Sequence, residues 1–118
     1  MFDCPILILT YNRDDNLLKL ILILKKLTAK KIYISCDGPK TCNDIDKIKK
    51  IKNSLKQLHA KTKIITKFHR KNNGVKLGPQ LGISWFFKEE KMGIILEDDC
   101  LPSLFFFKYA HYLLIKYR

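Results

Sequence analysis

Four short apolar runs, each followed by a longer stretch with helical spacing, constrain this chain more than any other feature. Pro5 to Thr10 (PILILT) is nearly continuous in apolar residues, as a strand buried on both faces requires. Lys31 to Ser35 alternates and reads as a second strand, Thr62 to Phe68 as a third and Ile94 to Leu96 as a fourth. Leu17 to Leu27 has the helical period, with Leu17, Leu20, Ile21, Leu24 and Leu27 on one face and Leu18 and Leu22 off it. Asn43 is a suitable N-cap for a second helix with an apolar stripe of Ile45, Ile48, Ile51, Leu55 and Leu58. Asn72-Asn73-Gly74 and Leu77-Gly78-Pro79 read as loop signals, with Pro79 in the first turn of a helix over Leu81 to Lys91. A last helix runs from Leu104 to Tyr117. The order βαβαβαβα predicts an α/β chain: an open, mostly parallel sheet of about four strands flanked by helices. The 118 residues suit a single domain, 1–118.

Charge is unevenly spread. The formal net charge is +12, yet residues 1–24 carry −1, residues 25–76 carry +13 and residues 77–118 are balanced. Twenty of the 23 basic residues are Lys, whereas specific phosphate and base readers lean on the arginine fork. The excess therefore reads as solvated helix faces, above all the lysines between Lys47 and Lys56, with a polyanion-binding surface as the alternative. No segment is long and apolar enough to be a transmembrane segment, and the acidic start lacks the basic region of a signal peptide. Four cysteines without a CxxC pair speak against zinc and for reduced thiols. The expected setting is cytoplasmic, or peripheral at the inner membrane face.

In open parallel sheets ligands bind beyond the carboxyl ends of the strands. That rule gathers Thr10 to Arg13, Asp37-Gly38, Phe68 to Gly74 and Glu97 to Asp99. Glu97-Asp98-Asp99 is the sharpest group. Three adjacent carboxylates at a strand end repel one another, and a hard cation such as Mg²⁺ or Mn²⁺ relieves the conflict; a solvated acidic turn is the alternative. Asp37 can accept from a ribose or base, or simply form an Asp-Gly turn. There is no GxxxxGK[ST], no GxGxxG, no nucleophile elbow and no Ser-His-Asp spacing. His59, His69 and His111 each stand alone, and the aromatic run Phe105-Phe106-Phe107 with Tyr109 and Tyr112 reads as core or interface.

Together these segments resemble the nucleotide-sugar-binding half of GT-A-fold glycosyltransferases, most closely the family 2-like group. Pro5 to Arg13 is similar to the first strand and loop of that family, and Ile34-Ser35-Cys36-Asp37-Gly38 to its second strand, which ends in an acid at the nucleotide. Asn73-Gly74 resembles its segment under the diphosphate, and Ile94 to Asp99 its metal-binding DXD strand in a Glu-Asp-Asp variant. The resemblance implies a Rossmann-like sheet of the nucleotide-diphospho-sugar transferase type. It implies a nucleotide-diphosphate sugar donor, UDP-linked, and Mn²⁺ or Mg²⁺ as cofactor. Thr10, Tyr11, Asn12, Arg13, Asp37, Asn73, Gly74, Glu97 and Asp98 would bind the nucleotide sugar, and Asp99 the metal. It spans residues 4–118 and reaches one helix past Asp99. The acceptor site and the catalytic base would then lie in a missing C-terminal half or a partner chain, as in a truncated or split transferase. A non-catalytic nucleotide-binding module on the same fold is the alternative, and a basic nucleic-acid-binding module a further one.

Overall fold

The structure is a computed structural model that describes residues 1–118. Its elements are β1 (Ile6–Thr10), α1 (Asp14–Leu27), β2 (Lys31–Cys36), α2 (Cys42–Ser54) with a 3₁₀ turn at Leu55–Gln57, β3 (Lys63–Phe68), α3 (Gly74–Glu89), β4 (Ile94–Glu97) and α4 (Leu104–Lys116). All strands are parallel, in the order β3-β2-β1-β4. The chain is an α/β protein with an open Rossmann-like sheet, as its alternating pattern predicts.

Strand alternation sorts the core into two layers. Ile6, Ile8, Ile32, Ile34, Ile94 and Leu96 face one side, where they meet Leu17, Leu20, Ile21 and Leu24 of α1, Ile48 and Ile51 of α2 and Phe107 of α4. Leu7 and Tyr33 face the other side and pack on Phe86 of α3, with Leu9, Ile65, Ile83 and Trp85 around them. Burying each of these aliphatic side chains contributes about 1.5–3 kcal/mol, so the three-helix face dominates stability. α3 alone covers the second face. Leu18 and Leu22 stand exposed on α1, off its buried stripe as their spacing predicts. No helix is long and apolar enough to cross a membrane.

Three local expectations need correction. The N-cap of α2 is Thr41, whose hydroxyl accepts from the Asp44 amide at 3.2 Å, and Asn43 lies inside the first turn. Ile45 is exposed while Asp44 is buried, because the loop after β1 supplies Asp44 with hydrogen-bond donors. α3 begins at Gly74 rather than Leu81 and carries Pro79 internally. The Gly-rich segment 74–82 is helical because its glycines allow close packing: a Cβ on Gly82 would lie 2.7 Å from Ser35 Oγ and 2.8 Å from Leu9 Cδ2. Pro79 removes the donor to the Val75 carbonyl, at a turn so exposed that solvent can take its place.

Parallel register aligns the strand ends that matter. Thr10 pairs with Cys36, Cys36 with Phe68, and Leu9 with Glu97. The loops leaving all four strands therefore emerge on one rim.

Candidate functional site

A cleft of about 270 Å³ opens on that rim. Thr10 to Arg13 line it from β1, Asp37 and Lys40 from the loop after β2, and Asn72, Gly74 and Gly78 from the start of α3. Glu97, Asp98 and Asp99 line it from β4. Of the residues expected to bind the nucleotide sugar or the metal, only Asn73 does not line the cleft, its amide being bound to Asp37; of the wider group gathered at the strand ends, Gly38 and Phe68 to Lys71 also stay outside it.

Asp98 is buried at the floor. The Thr10 hydroxyl donates to its Oδ2 at 2.8 Å, and Arg13 Nη1 lies 3.9 Å from its Oδ1. Burial pushes its carboxyl above the usual value; the Thr10 hydrogen bond and Arg13 pull the other way without prevailing. Asp99 is half-exposed and accepts from the same Arg13 Nη1 at 3.0 Å. Glu97, the last residue of β4, is exposed at the cleft wall. One guanidinium thus serves two carboxylates, and the third has no cation within ion-pair distance.

Asp37 organises the opposite wall. Its Oδ1 accepts from the amides of Gly38 (2.9 Å) and Asn73 (2.8 Å) and from Asn73 Nδ2 (3.3 Å), and its Oδ2 from the Gly74 amide (3.0 Å). The carboxylate therefore caps α3 from another element, where negative charge meets the positive end of the helix dipole. Gly74 has φ +90°, which a residue with a Cβ adopts only with strain. Asn72 Nδ2 donates to the Gly38 carbonyl at 2.8 Å and closes the same knot.

Asp44 is the residue that sequence reasoning missed. It accepts from the Tyr11 hydroxyl, from Asn12 Nδ2 at 2.9 Å and from the Lys40 amide at 3.0 Å. These donors hold its carboxyl down at about 2, and burial together with the Asp44 bond pushes the Tyr11 phenol up to about 12. Tyr11 and Asn12 line the cleft with their polar ends turned to Asp44, so they shape the loop that carries Arg13. The available signal was the Thr41-x-x-Asp44 spacing, a capping-box pattern that marks an acid turned back on its own helix start.

None of the four cysteines lines the cleft. All four are free, and burial pushes the Cys36 thiol up to about 12 and the Cys4 thiol up to about 11, leaving both inert at neutral pH.

No three His, Cys, Asp or Glu side chains converge closely enough to cage a metal ion. The donor set that exists, the carboxylates of Asp98 and Asp99 beside a polar cleft, suits the other mode of hard-cation binding, in which one or two carboxylates share the ion with ligand phosphates and water. Comparison with known proteins found no matching family model, no similar curated protein and no similar solved structure.

Proposed function

We propose that the cleft binds the ribose and diphosphate of a nucleotide-diphosphate sugar, UDP-linked, as the donor site of a glycosyltransferase. The observation that carries this reading is the Asp98–Asp99 pair. A buried carboxylate with a raised pKa, next to a second carboxylate and sharing one arginine with it, is electrostatically costly unless a further cation is part of the working state. Asp99 and Asp98 would hold Mn²⁺ or Mg²⁺, which when bound would supply charge neutralisation to the departing diphosphate. Arg13 swings between the carboxylates and a phosphate oxygen. Glu97 accepts from sugar or ribose hydroxyls at the wall. Asn73 and Gly74 give their amides to Asp37, so the start of α3 shapes the wall beside the diphosphate rather than binding it directly. Asp37 and Asp44 hold the two walls in place.

Calorimetric titration with UDP, with and without Mn²⁺, tests the reading. Wild type is expected to bind only with the metal, and Asp99→Ala to lose at least tenfold in affinity. Equal binding without metal, or none in either condition, overturns it. A transfer assay with the UDP-sugar then separates a transferase from a nucleotide-binding module.

A further inference from the structure

We propose that the outer surface of the helix layer formed by α4, α1 and α2 is a docking face for an anionic lipid bilayer. The three helices lie on the same side of the sheet, since Phe107, Leu20 and Ile51 join one core with Ile6, Ile34 and Leu96. The strand order sets α2 over β2 and β3, α1 over β1 and β2, and α4 against β4. α1 and α2 pack side by side and α4 lies at the β4 end of the same layer, so the outer sides of the three helices face the same way.

That surface has an unusual composition. On α4 the inward stripe is the buried Phe107 with the half-buried Ala110, His111 and Leu114, so helical spacing turns Phe105, Tyr109, Tyr112 and Lys116 outward. Phe105, Tyr109 and Tyr112 are 73%, 52% and 56% exposed. They are arranged rather than scattered: Phe105 stacks on Tyr109 at 6.0 Å, and Lys116 Nζ lies 5.8 Å over the Tyr112 ring. α1 adds Leu18 and Leu22, exposed one turn apart, with Lys19, Lys25 and Lys26 exposed on the same helix. α2 adds Lys49 and Lys50, which with Lys52 and Lys56 line a shallow depression. None of these lysines is in an ion pair; the pairs in the molecule use Arg13, Lys30 and Lys31.

Tyr109 and Tyr112, each with an apolar body and a polar end, together with Phe105 and on a helix layer that also carries unpaired lysines, fit the boundary between head groups and acyl chains. The lysines match the negative surface of an anionic leaflet, and each unpaired one adds attraction that salt screens. A nucleic acid is less well matched. The rings lie on α4 and the densest lysines on α2, at opposite ends of the layer, and none of the three helices carries an arginine to read a base or fork a phosphate. The proposal is independent of what the cleft binds, because the cleft opens on the rim of the sheet.

Co-sedimentation with vesicles tests it, using the full chain with pure phosphatidylcholine and with phosphatidylcholine containing a third phosphatidylserine. Wild type is expected to pellet with the anionic vesicles, to partition at least tenfold less onto neutral ones, and to be released by 0.5 M salt. Phe105→Ser with Tyr109→Ser, and separately Lys49→Glu with Lys50→Glu, should each reduce partitioning at least tenfold. Both pairs are exposed, and an unchanged thermal midpoint shows that the fold is kept. Lys63→Glu with Lys67→Glu, on β3 but on the α3 side of the sheet, where Lys67 lies 6.0 Å over the Trp85 ring, should leave it unchanged. Failure to pellet overturns the proposal. So does equal pelleting of wild type and both outward-facing variants, or a dimer in sedimentation equilibrium that Phe105→Ser abolishes while vesicles are ignored. Tighter binding to a single-stranded oligonucleotide than to anionic vesicles, lost in Lys49→Glu with Lys50→Glu, also overturns it in favour of a nucleic-acid surface.

Discussion

Asp98 and Asp44 are both buried aspartates, and their surroundings drive them in opposite directions. Asp98 has its pKa raised by burial, so the folded chain holds that proton more tightly than the unfolded chain does. Its contribution is complete below the ordinary value of 3.8 and is lost as pH rises through the folded value. At neutral pH it is therefore a local liability. Asp98→Asn is expected to raise the thermal midpoint at pH 7 while weakening metal-dependent nucleotide binding; a lower midpoint with binding retained would show that the carboxylate serves only the fold. Asp44 runs the other way. Its folded value of about 2 lies below the ordinary 3.8, so its stabilisation is present above pH 4 and is lost as pH falls toward 2. Wild type should lose stability across that window, and Asp44→Asn should flatten the loss, as followed by urea midpoints at several pH values. That Glu97, Asp98 and Asp99 stand together at the end of β4 was readable from three adjacent carboxylates after an apolar run. Asp44 was not, because a first-turn acid is usually explained by the helix dipole alone.

The elements were legible where apolar periodicity was strong and illegible where glycine served packing. The four strands and the buried stripe of α1 follow directly from the spacing of Ile and Leu. The first two turns of α3 do not, because Gly74, Gly78 and Pro79 are residues that ordinarily end helices. Only contact with the sheet explains them: a Cβ on Gly78 would sit 3.2 Å from Asp37 Oδ2, and one on Gly82 would overlap Ser35 and Leu9. Such contacts join residues about forty to seventy positions apart and leave no periodic trace in the chain. Gly82→Val should push α3 off the sheet at a cost of about 1–3 kcal/mol, the usual penalty of overpacking, read from denaturant unfolding. Since α3 also carries Gly74 and Gly78 into the cleft, nucleotide affinity should fall with it. The neutral change Gln80→Ala, on the exposed side of the same helix, should affect neither.

At the scale of the whole molecule the two sheet edges differ. β3 is guarded by the exposed Lys63 and Lys67, which discourage pairing with another strand. β4 presents Ile95, exposed beside Glu97, with no lysine. Ile95→Lys should reduce concentration-dependent aggregation, measured by light scattering, while shifting stability by no more than about 0.5 kcal/mol. The placement of the cleft at the carboxyl ends of the strands was readable in advance, since it depends only on parallel topology. Which of its polar groups open into the cleft and which brace its walls was not, because that division is set by hydrogen bonds between loops distant in the chain.

The strand order also fixes a sequence of events. β1, β2 and β3 can pair in the order in which a ribosome releases them, each docking beside the one before. β4 cannot, because its only neighbour is β1, made more than eighty residues earlier. Throughout that interval one side of β1 waits with its backbone amides and carbonyls unmatched. The arrival of Ile94–Glu97 closes that gap and, in the same step, carries Asp98 to the Thr10 hydroxyl. The acidic wall is thus added to a scaffold that already exists, and the nascent chain has no complete cleft until the last strand is in place.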